Sequence, residues 1–304
     1  MSYHKIAVIG SSNTDMVVQS DHLPLPGETV LGHHFVMNPG GKGANQAVAA
    51  ARLGGAVIFC ARVGNDLFGQ QAIAGFKKDG IDVQFVTADE EKPSGVALIL
   101  VDKQGENSIS VALGANESLR PIHIDPMVAQ LEAGSLILVQ LETPIETIQH
   151  VAHLARKHRF RLILNPAPAR ELPADVLQDL FMITPNSIEA AMLSGVSVTD
   201  EKTARAAAQA LRAKGVQHVI ITMGGAGAYV SSESMDELIP AIPCPVVDTT
   251  AAGDTFNGAL TVGLNEGMTL KEAIQFGHQA AAYSVGILGA QSSIPTRQNL
   301  SSPS

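Results

Sequence analysis

Asp254 closes a run of small residues, Thr249-Thr-Ala-Ala-Gly253, that follows the apolar pair Val246-Val247. A strand ending in such a turn and continuing into Thr255-Phe-Asn-Gly-Ala-Leu260 predicts the start of a long helix. The first amides of a helix lack intrahelical partners, so those of Ala251, Ala252 and Gly253 would form an anion pocket. Beside it, Asp254 would accept a hydroxyl proton while the amides stabilise charge on a transferred phosphoryl group. Taken alone, the same carboxylate would only complement a helix dipole.

A second segment, Asn38-Pro-Gly-Gly-Lys-Gly-Ala-Asn-Gln46, opens another small-residue helix. Its glycines let backbone amides approach a ligand, with Lys42 and Asn45 as side-chain donors. It lacks the spacing and the Lys-Ser/Thr pair of a Walker loop. Glu142 ends the run Leu138-Val-Gln-Leu-Glu142, at the carboxyl end of an expected strand. Asn186-Ser-Ile-Glu189 reads as a capped helix start. Thr222-Met-Gly-Gly-Ala-Gly227 reads as a glycine-rich turn between strands, and His278 lies within an expected helix, Leu270 to Val285. The remaining histidines have no spacing that favours a metal.

The elements that must position these residues alternate. Lys5 to Ile9, Val57 to Ala61, Leu136 to Leu141, Arg161 to Leu164, Met182 to Thr184 and His218 to Thr222 read as buried strands. Gly43 to Leu53, Phe68 to Lys78, Thr143 to Lys157, Ser187 to Leu193 and Lys202 to Lys214 read as helices. This order predicts a Rossmann-like α/β fold, with a mostly parallel sheet covered on both faces and ligands beyond the strand ends. Residues 14–37 and 94–113 break the alternation; they read as antiparallel ribbons forming a small β-sheet lid. No linker divides the chain, so residues 1–304 are expected to be a single domain.

Net charge is −9 without a basic run, which argues against nucleic-acid binding. No stretch approaches the ~18 apolar residues of a membrane span, and the amino-terminal apolar run is too short for a signal peptide. Two cysteines, Cys60 and Cys244, without metal-ligand spacing, fit a reduced, cytoplasmic protein.

Together the Gly-Gly-Lys-Gly and Thr-Ala-Ala-Gly-Asp segments resemble the two signature motifs of the ribokinase (PfkB-type) carbohydrate kinase family, in order and at the right distance. The similarity runs from Gly10-Ser-Ser-Asn-Thr-Asp15 to Gly289-Ala-Gln-Ser-Ser293. It implies ATP-dependent phosphorylation of a small sugar, with D-ribose the expected acceptor at O5, and a homodimer formed through the lid. By resemblance, Asp254 is the base and Ala251, Ala252 and Gly253 the anion hole. Asn13, Asp15, Gly41, Lys42, Asn45 and Glu142 match the sugar-contacting set. Asn186 and Glu189 match an element associated with Mg²⁺ and the nucleotide phosphates. Thr222, Gly224, Gly225, Gly227, Gly253 and His278 match nucleotide-site positions. Asp248, Thr250, Ser284, Ile287, Gly289 and Ser293 correspond to a loop for K⁺ or a similar monovalent cation, although Gly286-Ile-Leu-Gly289 is apolar where relatives often carry basic residues. The alternatives are another acceptor (2-deoxyribose, a fructose-type sugar or a nucleoside) or an inactive sugar-binding regulator. A nucleoside would need an apolar shelf in the lid, for which Phe35 and Ile109 are the candidates.

Overall fold

The computed structural model describes residues 4–301. In chain order its strands are β1 (Ile6–Ile9), β2 (Asn13–Ser20), β3 (Gly32–Gly40), β4 (Val57–Gly64), β5 (Asp82–Asp89), β6 (Gly95–Val101) and β7 (Asn107–Ala112). They continue as β8 (Leu136–Val139), β9 (Arg161–Leu164), β10 (Met182–Ile183), β11 (His218–Thr222), β12 (Ala228–Ser231) and β13 (Asp236–Ile239). Nine of them form one sheet, ordered β13-β12-β11-β10-β9-β8-β1-β4-β5. Pairing is parallel from β5 to β11 and antiparallel only at the β11-β12-β13 edge.

Strands β1 and β8 are apolar at every position because both faces are covered. Ile6, Ala7, Val8 and Ile9 are all fully buried and divide alternately between two core clusters, one on each side of the sheet. One layer includes the helices Ile145–His158 and Glu201–Ala213; the other includes Lys42–Arg52, Ala252–Asn265 and Leu270–Val285. This is the α/β fold that the alternation predicts. Strand β5, Asp-Val-Gln-Phe-Val-Thr-Ala-Asp, has no counterpart in the sequence reading, because its mixed burial gives neither a continuous nor a cleanly alternating pattern. Among the described residues no helix is long and apolar enough to cross a membrane.

The other four strands form a separate sheet, ordered β3-β2-β6-β7. Two antiparallel hairpins, β2-β3 and β6-β7, match the predicted ribbons, but a parallel seam of β2 against β6 joins them. Period-two alternation sorts the side chains. Asp15, Ala97 and Val111 share one face, with Val17, Val36, Ile99 and Ile109; Met16, Val18, Phe35, Met37, Leu98 and Leu100 share the other. Phe35 and Ile109 therefore point to opposite sides and cannot make one shelf.

Candidate active site

The helices Lys42–Arg52 and Ala252–Asn265 cross at unusually small residues. A Cβ on Gly258 would lie 2.5 Å from the Ala49 Cβ and 2.9 Å from the Ala50 amide, so glycine is required for this approach. One turn before the contact on each helix lie Gln46 and Asp254, which the crossing brings together. Asp254 Oδ1 accepts from Gln46 Nε2 at 2.8 Å, and Oδ2 accepts from Asn45 Nδ2 at 3.0 Å. Burial pushes the Asp254 carboxyl above its usual range, against the opposing pull of Lys42 and of these two amides.

Ala251, at the N-cap, adopts φ 58°, a left-handed conformation that costs an alanine energy. The turn folds the Ala252 amide back onto the Thr249 carbonyl at 3.2 Å. Of the three amides expected to be free, only those of Ala251 and Gly253 lack a partner among the described residues.

Behind Asp254 runs a buried chain of side chains. Gln140 donates to Gln46 at 2.6 Å; Gln46 also donates to Asn165 at 2.9 Å, and Asn165 to the Thr184 carbonyl at 3.0 Å. The Thr184 hydroxyl donates to Asn257 at 2.6 Å, and Asn257 to the Gly253 carbonyl at 2.8 Å. Apart from Gly253 and Asn257, which share a helix, the members come from separate stretches of chain, so no local motif announces the network.

In front of Asp254 the polar residues named from the sequence come together. Glu142 accepts from the Ser11 hydroxyl and, at 3.0 Å, from the Lys42 amide. Burial would depress the Lys42 pKa, but the carboxylates of Asp254, Glu142, Glu189 and Asp15 outweigh it and hold the ammonium charged. Burial and the neighbouring Glu142 and Asp254 raise the Asp15 carboxyl to about 6. Gly41 caps the helix beside them with φ 88°. Asn13 is held by Asn116, whose Nδ2 donates to its Oδ1 at 2.8 Å and whose Oδ1 accepts from the Ser12 amide at 2.9 Å.

On the other side of the turn lies a cleft of about 390 Å³, lined by Thr222, Gly224, Gly225, Gly227, Gly253 and His278 among others. Most of its remaining walls are small or apolar, including Ala241, Val246 and Ala281. The His278 ring stacks obliquely on Phe256 at 5.5 Å, and burial lowers its pKa, so it is a neutral imidazole. Asn186 opens the same cleft and is engaged in a reciprocal cap. Its Oδ1 accepts from the Ile188 and Glu189 amides at 2.9 Å, and Glu189 Oε2 accepts the Asn186 amide at 2.8 Å.

The residues matched to a cation loop also converge. Partial burial opposes ionisation of Asp248, but bonds from the Thr250 hydroxyl and amide and from the Gly289 amide hold its carboxyl below the usual range. Ser284 and Ser293 join hydroxyl to hydroxyl at 2.7 Å, and the Ile287 amide donates to the Ser284 carbonyl at 3.0 Å. No group of three or more His, Cys, Asp or Glu suited to a metal ion occurs among the described residues.

A nine-stranded α/β sheet, a second small sheet, and a polar cluster and a cleft thus meet at one helix start. The model for the "pfkB family carbohydrate kinase" matches residues 3–297, and the chain belongs to that family. It is 43% identical to a ribokinase of Haemophilus influenzae over 293 residues, 96% of either chain. A ribokinase structure from Thermotoga maritima superposes with TM-score 0.88 at 38% identity over 98% of each chain. An Arabidopsis thaliana ribokinase complexed with ribose and ATP superposes with TM-score 0.89 at 29% identity, again over 98% of each.

Proposed function

We propose that the enzyme transfers the γ-phosphoryl group of ATP to O5 of D-ribose, giving D-ribose 5-phosphate, with Asp254 as general base. The observation that carries this reading is where Asp254 stands. Its carboxylate is buried between the polar cluster and the cleft, one and three residues beyond the Gly253 and Ala251 amides, which have no partner among the described residues. The ribokinases above, one of them complexed with ribose and ATP, favour ribose over other acceptors.

Asn13, Asp15, Gly41, Lys42, Asn45 and Glu142 would hold the sugar, mixing donors and acceptors as a polyhydroxyl ligand needs. Asp254 takes the O5 proton as O5 bonds to the γ-phosphorus and the bond to the bridging oxygen breaks, releasing ADP. The Ala251 and Gly253 amides meet charge growing on the transferred group, and Ala252 shapes the turn that aims them. His278 and the glycine turn 224–227 would hold the nucleotide, mainly through backbone and apolar surface. When bound, Mg²⁺ neutralises phosphate charge. Asn186 and Glu189 suit that task through water, because their cap uses one Glu189 oxygen and leaves the other without a partner among the described residues. Asp248, Thr250, Ser284, Ile287, Gly289 and Ser293 offer an oxygen-only set for K⁺, which would brace the turn at 249–253.

The small sheet acts as the lid, with Asp15 on the face towards the sugar. Its outward face carries Phe35, Met37 and Leu98, each more than half exposed, and a second copy of the chain would cover it in a homodimer.

The test is Asp254→Asn. Turnover with ribose and MgATP is expected to fall ~10³-fold or more while ribose affinity by calorimetry stays within about threefold. Near-normal turnover would refute the base. Turnover of the unaltered enzyme on 2-deoxyribose, fructose or adenosine instead of ribose would reassign the acceptor. Binding of sugar without any turnover would favour a regulator. Omitting K⁺ tests the cation loop.

A further inference from the structure

The loop carrying Gly289 and Ser293 also carries Gln291, a buried residue with no role so far. Its Nε2 donates to Asn45 Oδ1 at 3.2 Å, and Asn45 Nδ2 in turn donates to Asp254 Oδ2 at 3.0 Å. A primary amide has one donor end and one acceptor end, and its two orientations are nearly equal in shape. Turned over, Asn45 would present its oxygen to the Asp254 carboxylate, acceptor against acceptor. A donor at Gln291 removes that option.

Gln291 is itself anchored. Arg52 donates through Nη1 to the carbonyls of Gln291 and Ile294, and its Nε and Nη2 are held by the two Asp79 oxygens at 2.9 and 3.1 Å. A continuous line thus runs Asp79, Arg52, Gln291, Asn45, Asp254.

We propose that Gln291 is a positioning residue for phosphoryl transfer, fixing Asn45 so that the carboxylate of Asp254 is held and aimed from the carboxyl-terminal loop. This rests on the reading of Asp254 as the base. Asp254 is faced by Lys42 from its neighbouring helix, Glu142 from the end of β8, Asp15 from the small sheet and Glu189 from the helix Ser187–Ser194. The Asn45 bond favours its ionised form, so loosening Asn45 moves the acid limb of the pH profile upward.

The experiment compares Gln291→Met, Asn45→Ala, the double variant and Asp254→Asn, by steady-state kinetics with ribose and MgATP across the acid and neutral range. Gln291→Met is expected to lower kcat ~10-fold and raise the acid limb of kcat/KM by ~0.5 pH unit. Added to Asn45→Ala, it should change kcat by no more than about twofold, because its route is already cut. Gln291→Leu also removes the donor at similar volume without adding a charge, and it should follow Gln291→Met should the latter fold poorly. Losses that multiply in the double variant, or an acid limb unmoved in both Gln291 variants, would overturn the proposal. Normal turnover in Asp254→Asn would overturn the base assignment instead, whatever Gln291 does.

Discussion

The two sides of Asp254 are built from different materials. On the side proposed for the sugar the groups are polar side chains held by other buried side chains: Asn116 fixes Asn13, Ser11 fixes Glu142, and Gln46 and Asn45 fix Asp254. On the side proposed for the nucleotide most of the wall is glycine, alanine and other apolar residues, with Asn186, Thr222, Thr249 and His278 the polar exceptions, so contacts there would fall mainly to backbone and apolar surface. The contrast suits the ligands proposed for the two sides. A small sugar is recognised by its hydroxyls, each needing a partner of the right sense, whereas a purine offers a flat surface that shape alone can accept.

Substitutions can sharpen that contrast, beginning below the loss expected for Asp254→Asn. Asn116→Ala touches no ligand but frees Asn13 and leaves buried polar groups unpaired. The expected result is a 10- to 100-fold drop in kcat/KM for ribose, roughly the worth of such groups, with the KM for ATP unchanged. Equal damage to both substrates would mean that the two sides are not separately built.

Gly227→Ala probes the other side. Gly227 has φ 111°, and a Cβ there would lie 2.1 Å from the Ile239 carbonyl oxygen. The hairpin must shift, so ATP KM should rise severalfold and the urea midpoint should report ~2–4 kcal/mol of destabilisation. Ribose affinity should hold.

The smallest effect concerns stability. Asp15 has its carboxyl raised to about 6 by burial and by Glu142 and Asp254. A raised carboxyl means that the folded state binds the extra proton, so this group's contribution to stability falls as pH rises from the ordinary carboxylate range through about 6. Asp15→Asn should therefore raise the thermal midpoint above neutral pH and do nothing near pH 3, where folded and unfolded chains are both protonated. A gain of equal size at both ends would show that the buried charge of Asp15 is not what strains the site.

The same contrast decides what the sequence reveals. Strands such as Arg161–Leu164 and helices such as Glu201–Ala213 are legible because period and capping are local signals. Asn186 and Glu189 were readable as a cap for the same reason. Asn116 and Gln291 were not, since their partners lie 103 and 246 residues away and nothing near them in the chain differs from an ordinary polar residue. The left-handed turn at Ala251 was equally hidden, because alanine is not a residue that advertises positive φ. The spent amide at Ala252 follows from that turn.

The parallel seam between β2 and β6 bears on how the chain assembles. Each hairpin of the small sheet closes a short loop and can begin by itself, but the seam joins Asn13 to Gly95 across everything between them. That stretch includes β4, β5 and two helices, all of which belong to the large sheet and its coat. Closing so long a loop costs entropy that only prior docking of the intervening chain can lower. The two halves of the small sheet are thus brought together by the body of the protein, and that sheet is completed only once the large one has docked the chain between them.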